Sequence, residues 1–267
     1  MDISQKERAE LLGTAAALAD AAGVAILPYF RSGGLTAANK AGDGFDPVTE
    51  ADRAAERAMR EILAERRPDD AILGEEYGRE EGTSGLTWVL DPIDGTRGFL
   101  SGTPTWGVLI AVGGAEGPVL GVIDQPYTRE RFTGGLGVAE WTGPHGGGVL
   151  ATRGTTTLDD AILFTTFPEV GSAEERAAFG RVAAEVKLTR YGMDCYAYAL
   201  LAAGQIDLVV EAGLHAYDIQ GPQAVIEAAG GIVTDWTGGP AHMGGRVVAA
   251  ANADLHARAL AMLQDAQ

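Results

Sequence analysis

Asp91-Pro92-Ile93-Asp94-Gly95-Thr96 is the stretch of this 267-residue chain whose residue types and spacing point most directly to chemistry. Pro92 lacks an N–H and has a fixed φ, so a turn is expected there that lets the Asp91 and Asp94 carboxylates converge. The Ile93 carbonyl, exposed by that turn, adds a neutral oxygen. Gly95 permits close backbone approach to a ligand. Thr96 opens a helix whose free N–H groups suit an anion. Oxygen donors beside such a helix start suit a hard cation and a phosphate group. Mg²⁺ binds through one or two carboxylates, waters and substrate phosphate. Two such ions, roughly 3.5–4 Å apart, can clamp the attacking and leaving oxygens of an in-line displacement. Gly74-Glu75-Glu76 can bring Glu75 to the same edge, and Asp218 is the natural fourth carboxylate. Singly, each has a plain alternative as turn or helix-cap chemistry; the whole string, placed strand–turn–helix with GEE upstream, favours the metal reading. Water held by metal needs no Ser, Cys or His nucleophile. His145, His215, His242 and His256 show no ligand-like spacing, and His215 alone stands near one of these acids.

The elements that must position these residues can be read from periodicity. Leu11, Leu12, Ala15, Leu18, Ala19, Ala22 and Ile26 predict a long helix over 4–31. A Gly- and Ala-rich loop over 32–46 follows, with Lys40 and Asp43, and is expected to be mobile. A second helix, 49–67, carries Asp52, Glu56 and Arg60 on its polar side. Strands are expected at 71–74 and 87–90, a short helix after Gly95, and antiparallel strands at 105–113, 118–124 and 130–134. Residues 143–148 read as a turn at the midpoint. Then come a strand near 161–166, helices 173–186 and 194–204, strand 206–211, helix 218–229, strands 231–235 and 246–250, and helix 253–265. Mixed order of this kind implies layered α and β structure. With no repeat and no linker, residues 1–267 read as a single catalytic unit, 1–145 carrying the metal motifs and 146–267 supplying Asp218 and substrate contacts. The Gly-rich stretches 134–137 and 146–148 lack the strand–G-x-G-x-x-G–helix context of a nucleotide site and read as hairpin turns.

Composition bounds the partners. Lys+Arg is 20 and Asp+Glu 37, a formal net charge of −17, which disfavours nucleic acid. A small anionic substrate is still accessible if metal supplies local positive charge. The 46% hydrophobic content excludes wholesale disorder. One cysteine, Cys195, excludes an intrachain disulfide and a Cys-based zinc cluster. The start Met1–Arg8 is too charged to open a secretory signal, and the apolar stretch 11–30, interrupted by Asp20, reads as an amphipathic helix rather than a membrane span. A soluble cytoplasmic protein with no membrane partner is expected.

Gly74-Glu75-Glu76, Asp91-Pro92-Ile93-Asp94-Gly95-Thr96 and Tyr217-Asp218-Ile219 resemble the signature blocks of the inositol monophosphatase family, and Asp46-Pro47-Val48-Thr49-Glu50-Ala51-Asp52 resembles its loop exit. The resemblance spans nearly the whole chain. It implies an α+β fold, a layered αβαβα sandwich, and a Mg²⁺-dependent, usually lithium-sensitive phosphomonoesterase, as a homodimer. Glu75, Asp91 and the Ile93 carbonyl would hold a first ion; Asp91, Asp94 and Asp218 a second; Glu75 and waters a third. Thr96 and Asp46 would position and deprotonate the attacking water. The N–H groups of Gly95 and Thr96 would bind phosphate oxygens, with Thr49 and Glu76 supporting the ligands from behind.

Substrate choice must come from other segments. Thr96-Arg97-Gly98-Phe99, Leu120–Tyr127 and Gly192-Met193-Asp194-Cys195-Tyr196 are similar to the histidinol-phosphate phosphatase branch. Histidinol phosphate carries a protonated amine and an imidazole that titrates near neutrality, so its pocket should offer carboxylates away from the metals; Asp194 and Glu211 are the candidates. Asp194 has an alternative as a helix cap, and Glu211 as a hydroxyl acceptor. Arg97 reads equally as a phosphate contact, a dimer contact or an exposed cation. The competing readings are an inositol-1-phosphate or broader sugar-phosphate phosphatase, and a catalytically silent metal-binding relative.

Overall fold

A computed structural model describes residues 3–32, 38–39 and 47–264. Lys40, Asp43 and Asp46, and the expected loop around them, lie outside the described residues. Helix α1 (Gln5–Ile26) starts where Ser4 Oγ accepts the Glu7 amide at 3.2 Å. After a short antiparallel pair, β1 (Ala38–Asn39) and β2 (Pro47–Val48), helix α2 (Glu50–Arg66) begins at a reciprocal capping box between Thr49 and Asp52. By length and mean hydropathy, 1.4, α1 could cross a bilayer. Its Leu11, Ala15, Leu18, Ala22 and Ile26 are instead buried in the protein's own core.

Strands β3 (Ala71–Gly74), β4 (Gly78–Glu80) and β5 (Thr87–Asp94) precede the one-and-a-half-turn helix α3 (Thr96–Ser101). A meander follows: β6 (Gly107–Gly114), β7 (Gly117–Gln125), β8 (Glu130–Gly135), β9 (Val138–Gly143) and β10 (Gly146–Val149). These eight strands form one sheet in the order β10-β9-β8-β7-β6-β5-β3-β4, parallel only between β3 and β5. Next come β11 (Ile162–Thr165), α4 (Ala173–Glu185), β12 (Leu188–Tyr191), α5 (Asp194–Ala202), β13 (Leu208–Leu214), α6 (Ala216–Ala228), β14 (Ile232–Asp235), β15 (Gly245–Ala250) and α7 (Ala253–Gln264). Their sheet runs β12-β11-β13-β15-β14.

Helices α1 and α2 cover one face of the large sheet, α5 and α6 fill the space between the sheets, and α4 with α7 covers the far side. The fold is therefore α+β, layered αβαβα. Leu109, Ile123 and Phe132 of the large sheet share one core with Val209, Val247 and Ala249 of the small one, through α5 and α6.

Three expectations need correction. Pro92 does not turn the chain: β5 continues to Asp94 through a register shift against β6. Residues 143–148 are not merely a turn, because Pro144 and His145 join two paired strands, β9 and β10. Strand β12 went unread; it is an exposed edge whose Leu-Thr-Arg-Tyr carries no buried run. Asp52 and Glu56, expected on the polar side of α2, are buried there, 1% and 0% exposed.

Candidate active site

Parallel pairing of β3 with β5 aligns Gly74 with Leu90, and the Glu75 amide extends the ladder to the Leu90 carbonyl at 3.1 Å. Glu75 thus leaves β3 at the level where Asp91 leaves the regular part of β5, and its charge raises the Asp91 carboxyl. Asp91 and Asp94 would point to opposite faces of a regular strand, since side chains alternate with period two. Between them β5 advances three residues while β6 advances two, Asp91 lying opposite Leu109 and Asp94 opposite Gly107. This bulge, at the residue that cannot donate to the ladder, brings both carboxylates to one side. Asp91 Oδ1 accepts the Ile93 amide at 3.1 Å, and the Thr96 hydroxyl donates to the Ile93 carbonyl at 3.2 Å.

Asp218 arrives from the first turn of α6. His215 is the residue before that helix, and its amide donates to Asp218 Oδ2 at 2.6 Å. Asp218 is therefore not the cap of a helix starting at 218: His215 holds that position, and Asp218, in the first turn, braces the cap and joins the cluster at once. Carboxylate oxygens of Asp91, Asp94 and Asp218 all lie within 4.8 Å of one another. Burial, then the charges of Glu75, Asp94 and Asp218, push the Asp91 carboxyl well above its ordinary range. Burial, then Asp218 and Asp194, do the same to Asp94. Burial outweighs the His215 amide and carries Asp218 to about 6. Such crowding of anions is unfavourable unless positive charge is brought in. Oxygen-only donors of this density fit a hard divalent cation.

The cluster floors a cleft of about 330 Å³, also lined by Ile93, Gly95, Thr96, Arg97, Asp194 and Glu211. Asp194 opens α5 but does not cap it; Met193 holds that position, and Asp194 has a left-handed φ of 45°. Its Oδ2 accepts from Thr105 Oγ1 at 3.3 Å. Burial holds its carboxyl above the ordinary range, a rise that the Thr105 hydroxyl and the Arg97 charge only partly counter. Arg97 lies over the Phe167 ring, 4.9 Å from its centre, at the rim. Glu211, 6% exposed, accepts from the Thr166 amide at 2.7 Å, the Thr166 hydroxyl at 2.9 Å and the Thr165 hydroxyl at 3.2 Å. Burial still lifts it to about 7.

Thr49 and Glu76 do not line the cleft. Thr49 holds the start of α2 through Asp52, and Glu76 faces Arg53 at 4.0 Å. Thr105, Thr166, Phe167 and Tyr198 went unnoticed in the sequence, having no motif spacing to the acids. His215 lines the cleft and stacks on Tyr217 with ring centres 5.1 Å apart.

Residues 7–267 match the inositol monophosphatase family. The chain is 41% identical to the chloroplastic bifunctional phosphatase IMPL2 of Arabidopsis thaliana, over 98% of this chain and 78% of that one. It is 34% identical to a histidinol-phosphatase of Streptomyces coelicolor, over 92% and 94% of the two chains. An inositol monophosphatase structure from Zymomonas mobilis superimposes with a TM-score of 0.85 at 40% identity, covering 98% of this chain and 99% of that one.

Proposed function

The chain belongs to the inositol monophosphatase family and is a phosphoric monoester hydrolase, and from that premise we propose that its substrate is L-histidinol phosphate, cleaved by water to L-histidinol and phosphate. The observation that carries this reading is the pair Asp194 and Glu211, two carboxylates that line the same cleft but are not among the three acids whose oxygens converge. The ester's phosphate belongs at the cluster, and its ammonium and imidazole at this second pair of acids. The similarity to a histidinol-phosphatase supports the same assignment.

Glu75, Asp91, the Ile93 carbonyl, Asp94 and Asp218 would hold the metal, which we take to be Mg²⁺, two to three ions. When bound, it places positive charge against the phosphoryl oxygens and makes water acidic enough to attack near neutrality. The amides of Gly95 and Thr96 bind phosphate oxygens at the start of α3. The Thr96 hydroxyl would orient the attacking water, and the Asp46 carboxylate would take its proton. The water oxygen bonds to phosphorus as the ester P–O bond breaks, and the leaving oxygen takes up a proton to become the histidinol hydroxyl. Glu211, braced by three donors, and Asp194 hold the cationic leaving group in line. The two halves of the chain act as one catalytic unit, and family resemblance supports a homodimer.

Phosphate release from histidinol phosphate and inositol 1-phosphate, with Mg²⁺ varied, tests the reading. A higher kcat/KM on histidinol phosphate is expected. A clear preference for inositol 1-phosphate would transfer the assignment to that ester, the alternative that the Zymomonas mobilis structure favours. No release from any monoester would leave a silent metal-binding relative.

A further inference from the structure

We propose that Glu56, a residue of α2 outside the cleft, is a positioning residue for Glu75 and thereby sets the affinity of the acidic cluster for a divalent cation. The proposal rests on the metal-site reading above. Glu56 is fully buried. Its Oε2 accepts the Glu76 amide at 2.7 Å, and its Oε1 accepts the Tyr77 amide at 3.3 Å and Arg60 Nε at 2.8 Å. The Glu75 amide is held by Leu90. Three successive amides, 75 to 77, are therefore fixed, one by β5 and two by a single carboxylate. The residue they display is Glu75, which lines the cleft together with Asp91, Asp94 and Asp218.

The preceding residue shows how closely this contact is built. A Cβ on Gly74 would overlap the Glu56 carboxylate. The turn thus gives up a side chain to let Glu56 reach the amides. Burying a carboxylate costs several kcal/mol unless it is paired and fully hydrogen-bonded, and here Arg60 and two amides meet that condition. In a turn open to solvent, water could satisfy two such amides at no such cost. What the buried carboxylate adds is a fixed direction for Glu75, so that less freedom is lost when a cation binds.

The test is Mn²⁺ binding by calorimetry to the full chain and to Glu56→Gln, Glu75→Gln and the double variant. Gln keeps the size of Glu56 and one acceptor oxygen, but cannot accept on its other arm. Glu56→Gln is expected to weaken Mn²⁺ by about 10–100-fold, the usual cost of removing a group that orients a ligand. In the Glu75→Gln background it should cause no further loss, because its effect runs through Glu75. Unchanged Mn²⁺ affinity in Glu56→Gln, even with a lowered melting temperature, would reduce Glu56 to a structural residue and overturn the proposal. So would equal weakening in both backgrounds. If Glu56→Gln does not fold, Gly74→Ala displaces the same carboxylate from the opposite side and is judged by the same two criteria. Wild-type protein that binds no Mn²⁺ would sink the metal-site reading itself, an outcome separate from the others.

Discussion

The Cys195 amide donates to Asp94 Oδ2 at 2.7 Å, joining residues 101 positions apart. One end of the bond is the bulged strand that carries the acidic cluster. The other is the first turn of α5, where Asp194 sits with its carboxyl packed over Gly95 and Gly98. The acid assigned to substrate choice is therefore registered directly against the acids assigned to metal.

Asp94→Asn keeps an acceptor for the Cys195 amide and removes a charge. Phosphate release should fall by at least about 100-fold. The metal-free variant should melt no lower than wild type, because repulsion from Asp218 and Asp194 is relieved. Full turnover would exclude Asp94 from the metal set.

Gly95 has a φ of 84°, and a Cβ there would come within 2.8 Å of the Asp194 Cβ and Cγ. Gly95→Ala should cost about 1–2 kcal/mol in backbone strain alone, read from urea unfolding, and should lower kcat by displacing Asp194. A variant as stable and active as wild type would contradict this geometry.

Asp194→Asn is the informative change at that site, since Asn tolerates its left-handed backbone better than Ala does. Loss of the charge should lower kcat/KM on histidinol phosphate by about 10–100-fold, the scale of one charged hydrogen bond. Inositol 1-phosphate, which lacks the cation, should be affected much less. Equal losses on both esters would remove Asp194 from substrate choice.

Glu211 makes pH a probe. Its folded pKa is raised from 4.5 to about 7 by burial, so the folded state binds the proton more tightly than the unfolded chain. Its contribution to stability is neutral below about pH 4 and turns unfavourable as pH rises towards 7. Metal-free Glu211→Gln should accordingly lose less stability between those limits than wild type. On the proposed substrate, wild-type KM should fall as pH rises through 7 and Glu211 becomes charged. A KM profile identical in Glu211→Gln would disprove the contact.

Removal of metal should destabilise the whole protein, because the cation binds only the assembled cluster. At 100 times its Kd a ligand adds about 2.7 kcal/mol. Chelator should lower the melting temperature and excess Mg²⁺ restore it. Asp218→Asn should melt at a temperature that responds little to either, and a full response there would place the metal elsewhere.

Much of this was legible in the linear chain. Local chemistry suffices for Thr49 and Ser4 as helix starts, for the apolar period of α1, and for the helix that opens at Thr96. The string DPIDGT and the order of the acidic blocks sufficed for the family and for which acids to follow. Glu56 was not legible. Its place on the polar side of a helix says nothing of burial, and it is buried because α2 lies against the turn at Glu76. Thr165, Thr166 and Thr105 were equally silent, since a threonine gains its role from the acid that the fold places beside it.

The chain by itself determined which carboxylates exist, how they are spaced and which elements carry them, because those properties depend on neighbours a few residues away. Tertiary structure alone decided where those carboxylates point. Asp91 and Asp94 share a face only because β5 slips by one residue against β6, and Asp218 reaches them only because α6 packs between the two sheets. Contacts of that range come from packing, which no local pattern encodes.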